Sequence, residues 1–183
     1  MPRYSALLAG AFFCALIGCS SPDPAPTANS APPAAGAAVG TPEIVSITPD
    51  AGSARSQRFE AIASHPGGAG QIENMQVLFD IGIRGADACW VDYRPASQTV
   101  ALRTDDGNSW LAARPIGQPG VVENRQCALA AQNVTATAEG NQLKVVIPVS
   151  FKDGMRGDRD VYVIASSASA HTGWIKKGHW TIP

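Results

Sequence analysis

The alternation of apolar and polar residues from residue 43 onward predicts a domain built of short β-strands. The stretch "ENMQVLFDIGI" has an apolar residue at every second position, which gives a strand with one apolar face. That face is formed by Met75, Val77, Phe79 and Ile81. The clearest hairpin is "NVTATAEGNQLKVVIPVSF", in which every second residue after the turn "EGN" is again apolar. These apolar positions are Leu143, Val145, Ile147, Val149 and Phe151.

The turns between these segments favour an antiparallel arrangement. "RPAS" separates the strands "ACWVDY" and "QTVALRT", and "DDGN" forms a second turn in which Gly107 can adopt a positive φ. No segment has a sustained apolar stripe of helical period. Roughly nine or ten short strands with frequent turns predict an all-β fold, an antiparallel β-sandwich of immunoglobulin-like or jelly-roll-like type.

The N-terminal 42 residues have a different composition and are predicted to lie outside the domain. Residues 1–18 begin with the basic residue Arg3 and continue with an apolar run and small residues, the layout of a secretory signal peptide. Residues 19–42 are rich in Pro, Ala, Ser and Gly and contain no aromatic residue. Such a segment buries too little apolar surface to offset its ordering entropy, so we expect a disordered tether. The β-sandwich domain is predicted to span residues 43–183.

The end of the signal peptide resembles the bacterial lipobox. Leu16, Ile17, Gly18 and Cys19 match its pattern of a branched aliphatic residue, a variable residue, a small residue and a cysteine. The resemblance implies that Cys19 carries a diacylglyceryl group and becomes the N-terminus after cleavage. Ser20 then favours the outer membrane. The alternative is an ordinary cleaved signal in which Cys19 has no such role.

Charge and motifs narrow the classes of function. The formal net charge is -1 and 16% of the residues are charged, which gives no field strong enough to recruit nucleic acid. The sequence has no Ser-His-Asp motif, phosphate-binding glycine loop or zinc signature, so we expect a protein that is not an enzyme. Asp105 and Asp106 are too few to make a calcium shell. We therefore predict no catalytic residue, no metal site and no cofactor.

Two cysteines remain for the domain once Cys14 is lost with the signal peptide and Cys19 is lipidated. Cys89 and Cys127 lie 38 positions apart in an exported chain, where disulfides form readily. We interpret the pair first as a structural disulfide. The alternatives are metal ligation and a nucleophilic Cys89 assisted by His171 or His179. In a regular strand the neighbouring Trp90 faces away from Cys89.

A wider set of residues resembles a β-sandwich module that recurs in bacterial secreted and surface proteins. Its pattern combines a Cys-aromatic-x-x-Tyr strand, an Asp-Gly turn before Trp, an Asn-x-Gln-Cys segment and two terminal Gly/Trp pairs. The matching positions are Cys89, Trp90, Tyr93, Asp106, Gly107, Trp110, Asn124, Gln126, Cys127, Gly173, Trp174, Gly178 and Trp180. The resemblance implies the sandwich fold and the disulfide. The likeness to immunoglobulin-like domains is looser, because the Trp directly follows the first Cys.

Aromatic residues are the candidate ligand contacts. Trp110, Trp174, Trp90 and Tyr93 could bind sugar rings if they line an exposed sheet face, and the alternative is ordinary core packing. Trp90 and Tyr93 should face opposite sides of one strand, so at most one of them is exposed. We therefore expect a lipid-anchored cell-envelope protein with a non-catalytic binding or structural domain, whose partner is an envelope protein or glycan. The alternative function is an enzyme or accessory subunit acting on envelope polysaccharide.

Overall fold

The computed structural model describes residues 40–183, which form an all-β domain of thirteen strands. The strands are β1 (Glu43–Thr48), β2 (Ala51–Ser53), β3 (Ser56–Ser64), β4 (Asn74–Asp80), β5 (Cys89–Arg94), β6 (Thr99–Leu102), β7 (Arg114–Pro115), β8 (Val121–Glu123), β9 (Cys127–Ala130), β10 (Thr135–Glu139), β11 (Gln142–Phe151), β12 (Gly157–Ser166) and β13 (Ile175–Ile182). Three single 3₁₀ turns occupy Ala69–Gln71, Ala131–Asn133 and Asp153–Met155. Within residues 40–183, no helix has the length and apolar character needed to span a bilayer. The predicted signal peptide, Cys19 and most of the predicted tether lie outside the described residues.

The strands form two sheets that pack face to face. The first sheet has the order β1-β3-β11-β9-β8, and β10 also pairs with β11. The second sheet has the order β2-β13-β12-β4-β5-β6-β7. All pairs are antiparallel except β2 with β13. The predicted all-β sandwich is thus confirmed. Its one parallel pair joins strands that are distant in sequence, where no hairpin dictates direction.

Aromatic rings from both sheets meet in the core. The ring centroid of Phe59 in β3 lies 4.8 Å from that of Phe79 in β4 and 5.1 Å from that of Trp180 in β13. Phe151 in β11 lies 5.1 Å from Phe79. The Trp180 indole N–H donates to the carbonyl of Ala54 at 2.9 Å, so this buried tryptophan has its polar atom satisfied.

The predicted disulfide is present and joins the two sheets. Cys89 in β5 of the second sheet is bonded to Cys127 in β9 of the first, and both residues are fully buried. The bridge excludes the alternative roles of Cys89 as a free nucleophile or a thiolate ligand. Cys89 faces the core and Trp90 faces outward, as the strand period predicts.

The prediction that Ile81 continues the apolar face of β4 is wrong, since Ile81 is 60% exposed. The strand ends at Asp80, whose buried carboxylate accepts hydrogen bonds from the backbone N–H groups of Ile81 at 2.7 Å, Arg84 at 3.1 Å and Gly85 at 3.3 Å. These bonds turn the chain away from the sheet. A single aspartate therefore overrides the apolar alternation at the strand end.

Candidate ligand-binding face

One row of side chains crosses the outer face of the second sheet. Tyr162 in β12 is paired with Leu78 in β4, and Leu78 is paired with Trp90 in β5. The row continues to Arg103, whose backbone N–H donates to the carbonyl of Trp90 at 2.9 Å. Arg103 in turn forms an isolated β-bridge with Trp110. The antiparallel register thus places an aromatic, an aliphatic and a cationic side chain beside the two tryptophans.

Three tryptophans from separate segments gather on this face, and we name them the tryptophan cluster: Trp90, Trp110 and Trp174. The ring centroid of Trp90 lies 5.6 Å from that of Trp110 and 5.4 Å from that of Trp174. The interplanar angles of 76° and 73° make both contacts edge-to-face. All three side chains are partly exposed. The cluster therefore presents indole surface to solvent from a fixed arrangement.

A buried leucine lies on the outside of the sheet beside the cluster. Trp174 directly precedes β13, and two strands, β12 and β4, separate β13 from the β5 strand of Trp90. Leu78 in β4 is the cross-strand partner of Trp90. Leu78 faces away from the core, yet it is 0% exposed. The tryptophans thus bury apolar area of their own at a site outside the main core.

Arg103 lies in the angle between two indole rings. Its guanidinium carbon is 4.7 Å from the ring centroid of Trp90 and 4.6 Å from that of Trp110, within the range of cation–π attraction. Its Nε donates to the carbonyl of Gly107 at 3.0 Å. Among residues 40–183, no carboxylate forms an ion pair with Arg103. The N–H donors of its two terminal amino groups are therefore available to bind a further partner.

The turn after β6 holds this arrangement in place. The carboxylate of Asp106 accepts hydrogen bonds from the hydroxyl of Thr104 and from the backbone N–H of Asn108 at 3.0 Å, and these bonds lower the pKa of Asp106. Gly107 has φ +72°, and a Cβ there would lie 2.8 Å from the carbonyl carbon of Gly85. A Cβ on Gly85 would in turn meet the Trp90 ring at 2.8 Å. Glycine is thus required at both positions, because a Cβ at either one would clash with the neighbouring atoms.

We expect Gly107→Ala to destabilise the domain by about 1–3 kcal/mol more than Gly117→Ala, the range for overpacking. Both glycines have φ +72°, so both substitutions carry the same left-handed backbone cost. A Cβ at Gly117 meets nothing within 4 Å, whereas one at Gly107 meets the Gly85 backbone. Urea unfolding of the two variants measures the difference. If both variants lose the same free energy of unfolding, the backbone at Gly85 shifts to accommodate the new Cβ without destabilising the domain.

Two unpartnered oxygens lie on the same outer face, beside the cluster. Asp92 is 3% exposed; its Oδ2 accepts from Nε of Arg94 at 2.8 Å, but its Oδ1 has no hydrogen-bond partner in the described chain. Asp92 is the cross-strand neighbour of Gln76, whose Oε1 accepts from the Trp90 indole N–H at 2.9 Å. Asn74, two residues before Gln76, has a second unpartnered buried oxygen. Both oxygens are also shielded from solvent, so they are unsatisfied polar atoms within the fold.

The titratable cluster at the β12–β13 edge of this face is an ion-pair network. Asp160 lies 2.7 Å from Nζ of Lys176 and accepts from the hydroxyl of Tyr162 at 3.1 Å. The Lys176 contact lowers the pKa of Asp160, and the Asp160 contact raises the pKa of Lys176. Burial, together with the Asp160 hydrogen bond, raises the pKa of Tyr162. Both shifts keep Tyr162 and Lys176 protonated at neutral pH, the opposite of what a nucleophile or base needs.

In residues 40–183, no three His, Cys, Asp or Glu side chains are grouped to hold a metal ion.

The structure places the four candidate aromatic contacts on two sides of the sheet. Trp90, Trp110 and Trp174 come together on the outer face. Tyr93 lies in the core at 3% exposure, where burial raises its pKa, so including it among the candidate contacts was wrong. Its cross-strand partner in β6, Val100, is also buried in the core. The expectation that at most one of Trp90 and Tyr93 is exposed is confirmed.

Sequence reasoning missed three polar members of the site: Arg103, Gln76 and Asp92. Strand alternation could have placed Arg103 and Asp92 on the outer face, because each is one position away from a core residue. Their closeness to the tryptophans depends on cross-strand register, which alternation alone leaves open. No protein-family model and no curated protein matches the sequence.

Proposed function

We propose that the chain is a lipid-anchored protein of the bacterial cell envelope whose β-sandwich domain binds a glycan without catalysis. The observation that carries this proposal is the tryptophan cluster. Three large aromatic side chains converge on the solvent side of a sheet and remain partly exposed, an arrangement in which tryptophan is common at interfaces. Aromatic surface held in this way, with polar groups at its border, is typical of ligand sites.

The groups around the cluster suit a sugar ring. The C–H faces of a pyranose pack on indole rings, and its hydroxyls need acceptors as well as donors. The terminal amino groups of Arg103 are donors, and the amide of the half-buried Gln76 beside Trp90 has both donor and acceptor atoms. This mixture of apolar surface and hydrogen-bonding groups supports a polyhydroxylated ligand over a purely apolar one.

The chemistry of the face favours binding over hydrolysis of a glycan. Glycosidases flank the scissile bond with two carboxyl groups, about 5–10 Å apart, that act as acid and as base or nucleophile. Asp92 is the buried carboxylate beside the tryptophans, and the other carboxylates of this face are held by hydrogen bonds or ion pairs, as Asp106 is by Thr104 and Asn108. Asp80 caps the end of β4, and Asp160 is paired with Lys176.

We expect Trp174→Ala to weaken polysaccharide binding roughly tenfold, by analogy with the approximately 1–3 kcal/mol that a nucleic-acid base gains by stacking on one aromatic side chain. The measurement is affinity electrophoresis, in gels containing envelope polysaccharide, of the full protein in detergent. Val121→Ala is the control and should leave binding unchanged, since it removes an exposed apolar side chain from β8 in the other sheet. Unchanged binding by Trp174→Ala, or no binding by the unsubstituted protein, would contradict the glycan proposal.

The anchor is tested separately, because Cys19 lies outside the described residues. We expect Cys19→Ala to lose incorporation of a labelled fatty acid completely, since the cysteine sulfur is the proposed attachment site. Several acyl chains at about 0.8 kcal/mol per buried methylene would hold the domain at a bilayer. Cys14→Ala is the control and should retain the label. Label that persists in Cys19→Ala would overturn the lipoprotein proposal.

A further inference from the structure

We infer that the glycan is acidic and that Arg103 binds its carboxylate. This inference rests on the proposed function, and it adds the chemical class of the ligand and one specificity-determining residue. It starts from a difference between Arg103 and the other cations near the cluster. Arg94 is paired with Asp92 at 2.8 Å and Lys176 with Asp160 at 2.7 Å.

Arg103 differs from the other cations of the face in having no carboxylate in ion-pair contact within the described chain; Asp106, in the turn that follows it, is bonded to Thr104 and Asn108 instead. Arg84, at the end of β4, is paired with Asp80 at 3.0 Å, so this local pair is also neutral. Arg103 has no carboxylate partner among residues 40–183, although it lies between two of the tryptophans. A ligand that brings a negative charge to the cluster would complement this surface.

The geometry of Arg103 suits a carboxylate more than a diffuse anion. The two indole rings and the Nε hydrogen bond to Gly107 restrain the guanidinium plane, so little side-chain entropy remains to be lost on binding. A guanidinium binds a planar carboxylate through two parallel N–H···O bonds. A uronic acid ring offers such a carboxylate next to C–H faces that can pack on Trp110 or Trp174.

Two other occupants fit the face less well. A cationic ligand would favour the aromatic rings, but Arg103 already lies over both Trp90 and Trp110 and would repel it. An apolar protein surface would desolvate the Arg103 charge without giving it a partner, which is costly. An acidic sugar meets both the aromatic and the cationic parts of the site.

The test uses polygalacturonate, alginate and hyaluronate, each compared with its own carboxyl-reduced polymer, and the full protein in detergent. Isothermal titration should give roughly tenfold to hundredfold tighter binding of the acidic form, since a hydrogen bond to a charged group contributes about 1.5–3 kcal/mol. Arg103→Gln should remove this preference. Arg103→Lys should remove most of it, because a lysine keeps the charge and lacks the two-pronged geometry.

Arg58→Gln is the charge-matched control, since Arg58 is an exposed residue of β3 in the other sheet and should leave the preference unchanged. Near-ultraviolet circular dichroism checks that each variant keeps its tertiary packing. Equal binding of acidic and reduced polymers, still lost in Trp174→Ala, would overturn the acidic ligand and leave the proposed function standing. An acid preference that survives in Arg103→Gln would overturn the role of Arg103. Binding of neither form would overturn both proposals.

Discussion

Replacing Cys89 and Cys127 together by alanine should lower the free energy of unfolding by about 4 kcal/mol, the value that chain entropy gives for a loop of this length. The bridge closes 38 residues and joins the two sheets through their buried faces. Without it, the unfolded chain gains conformations that the crosslink forbids. A loss of this size is a large share of the 5–15 kcal/mol by which domains are stable. Urea unfolding at neutral pH measures the change.

The reductant experiment separates the crosslink from the side-chain substitution. Dithiothreitol should lower the unfolding midpoint of the unsubstituted protein toward that of the double variant, and it should leave the double variant unchanged. Intact mass after alkylation under denaturing conditions should show no free thiol at either position before reduction. If the double variant unfolds within about 1 kcal/mol of the unsubstituted protein, the bridge contributes far less than the chain-entropy estimate.

The second large effect is expected at Asn124, between β8 and β9. Its side-chain amide donates to the carbonyl of Ala88 and to that of Arg103, both at 3.1 Å. Its Oδ1 accepts from the backbone N–H groups of Gln126 at 2.9 Å and Cys127 at 2.8 Å. All four hydrogen-bonding positions of the amide are thus used, three of the bonds in fully buried surroundings. One residue joins the disulfide strand to the strand end that presents Arg103.

Asn124→Ala should lower the free energy of unfolding by about 3 kcal/mol or more, because unpartnered buried groups cost about 1–3 kcal/mol each. Asn124→Asp should be worse at neutral pH, because it turns a carboxylate oxygen toward two carbonyl oxygens. Burial and these carbonyls raise the pKa of the introduced carboxyl above its unfolded value of about 3.9. The extra loss is therefore smallest below that pH, where both states are protonated, and it grows as the pH rises toward the folded pKa.

The measurement is urea unfolding of both variants and the unsubstituted protein at pH 3.5 and pH 7. Asn133→Asp is the matched control, since the same change at an exposed residue without a side-chain hydrogen bond should cost little at either pH. The structural role assigned to Asn124 fails if Asn124→Asp loses the same stability at both pH values. It also fails if Asn124→Ala behaves like the control.

The Asn-x-Gln-Cys segment was visible in the sequence, but its function in the fold was not. Cysteine counting predicted a disulfide at Cys127, which is confirmed, and left Asn124 without a role. The partners of its side chain include the carbonyl groups of Ala88 and Arg103, 36 and 21 residues away. No local pattern predicts such contacts, because each depends on two sheets being packed together.

Errors in the sequence interpretation have the same origin. Ile81 continues an apolar alternation but leaves the sheet, because the Asp80 carboxylate binds the backbone N–H groups of the turn that follows. Tyr93 has an aromatic side chain suited to contact a ligand. In β5, however, it lies an even number of positions from Cys89 and Val91, so it faces the core as they do. The sequence predicted which residues of a strand share a face. Which of the two faces is turned toward the core became clear only from the packed sheets.

By itself, the sequence determined the all-β class, the cysteine pair and the opposite facing of Cys89 and Trp90. These follow from a two-residue period and from cysteine counting, which are local or compositional properties. The tertiary structure decided that Trp90, Trp110 and Trp174 meet around Arg103, while Trp180 enters the core. The cluster joins residues that are far apart along the chain, and only the order and register of the strands bring them within contact distance.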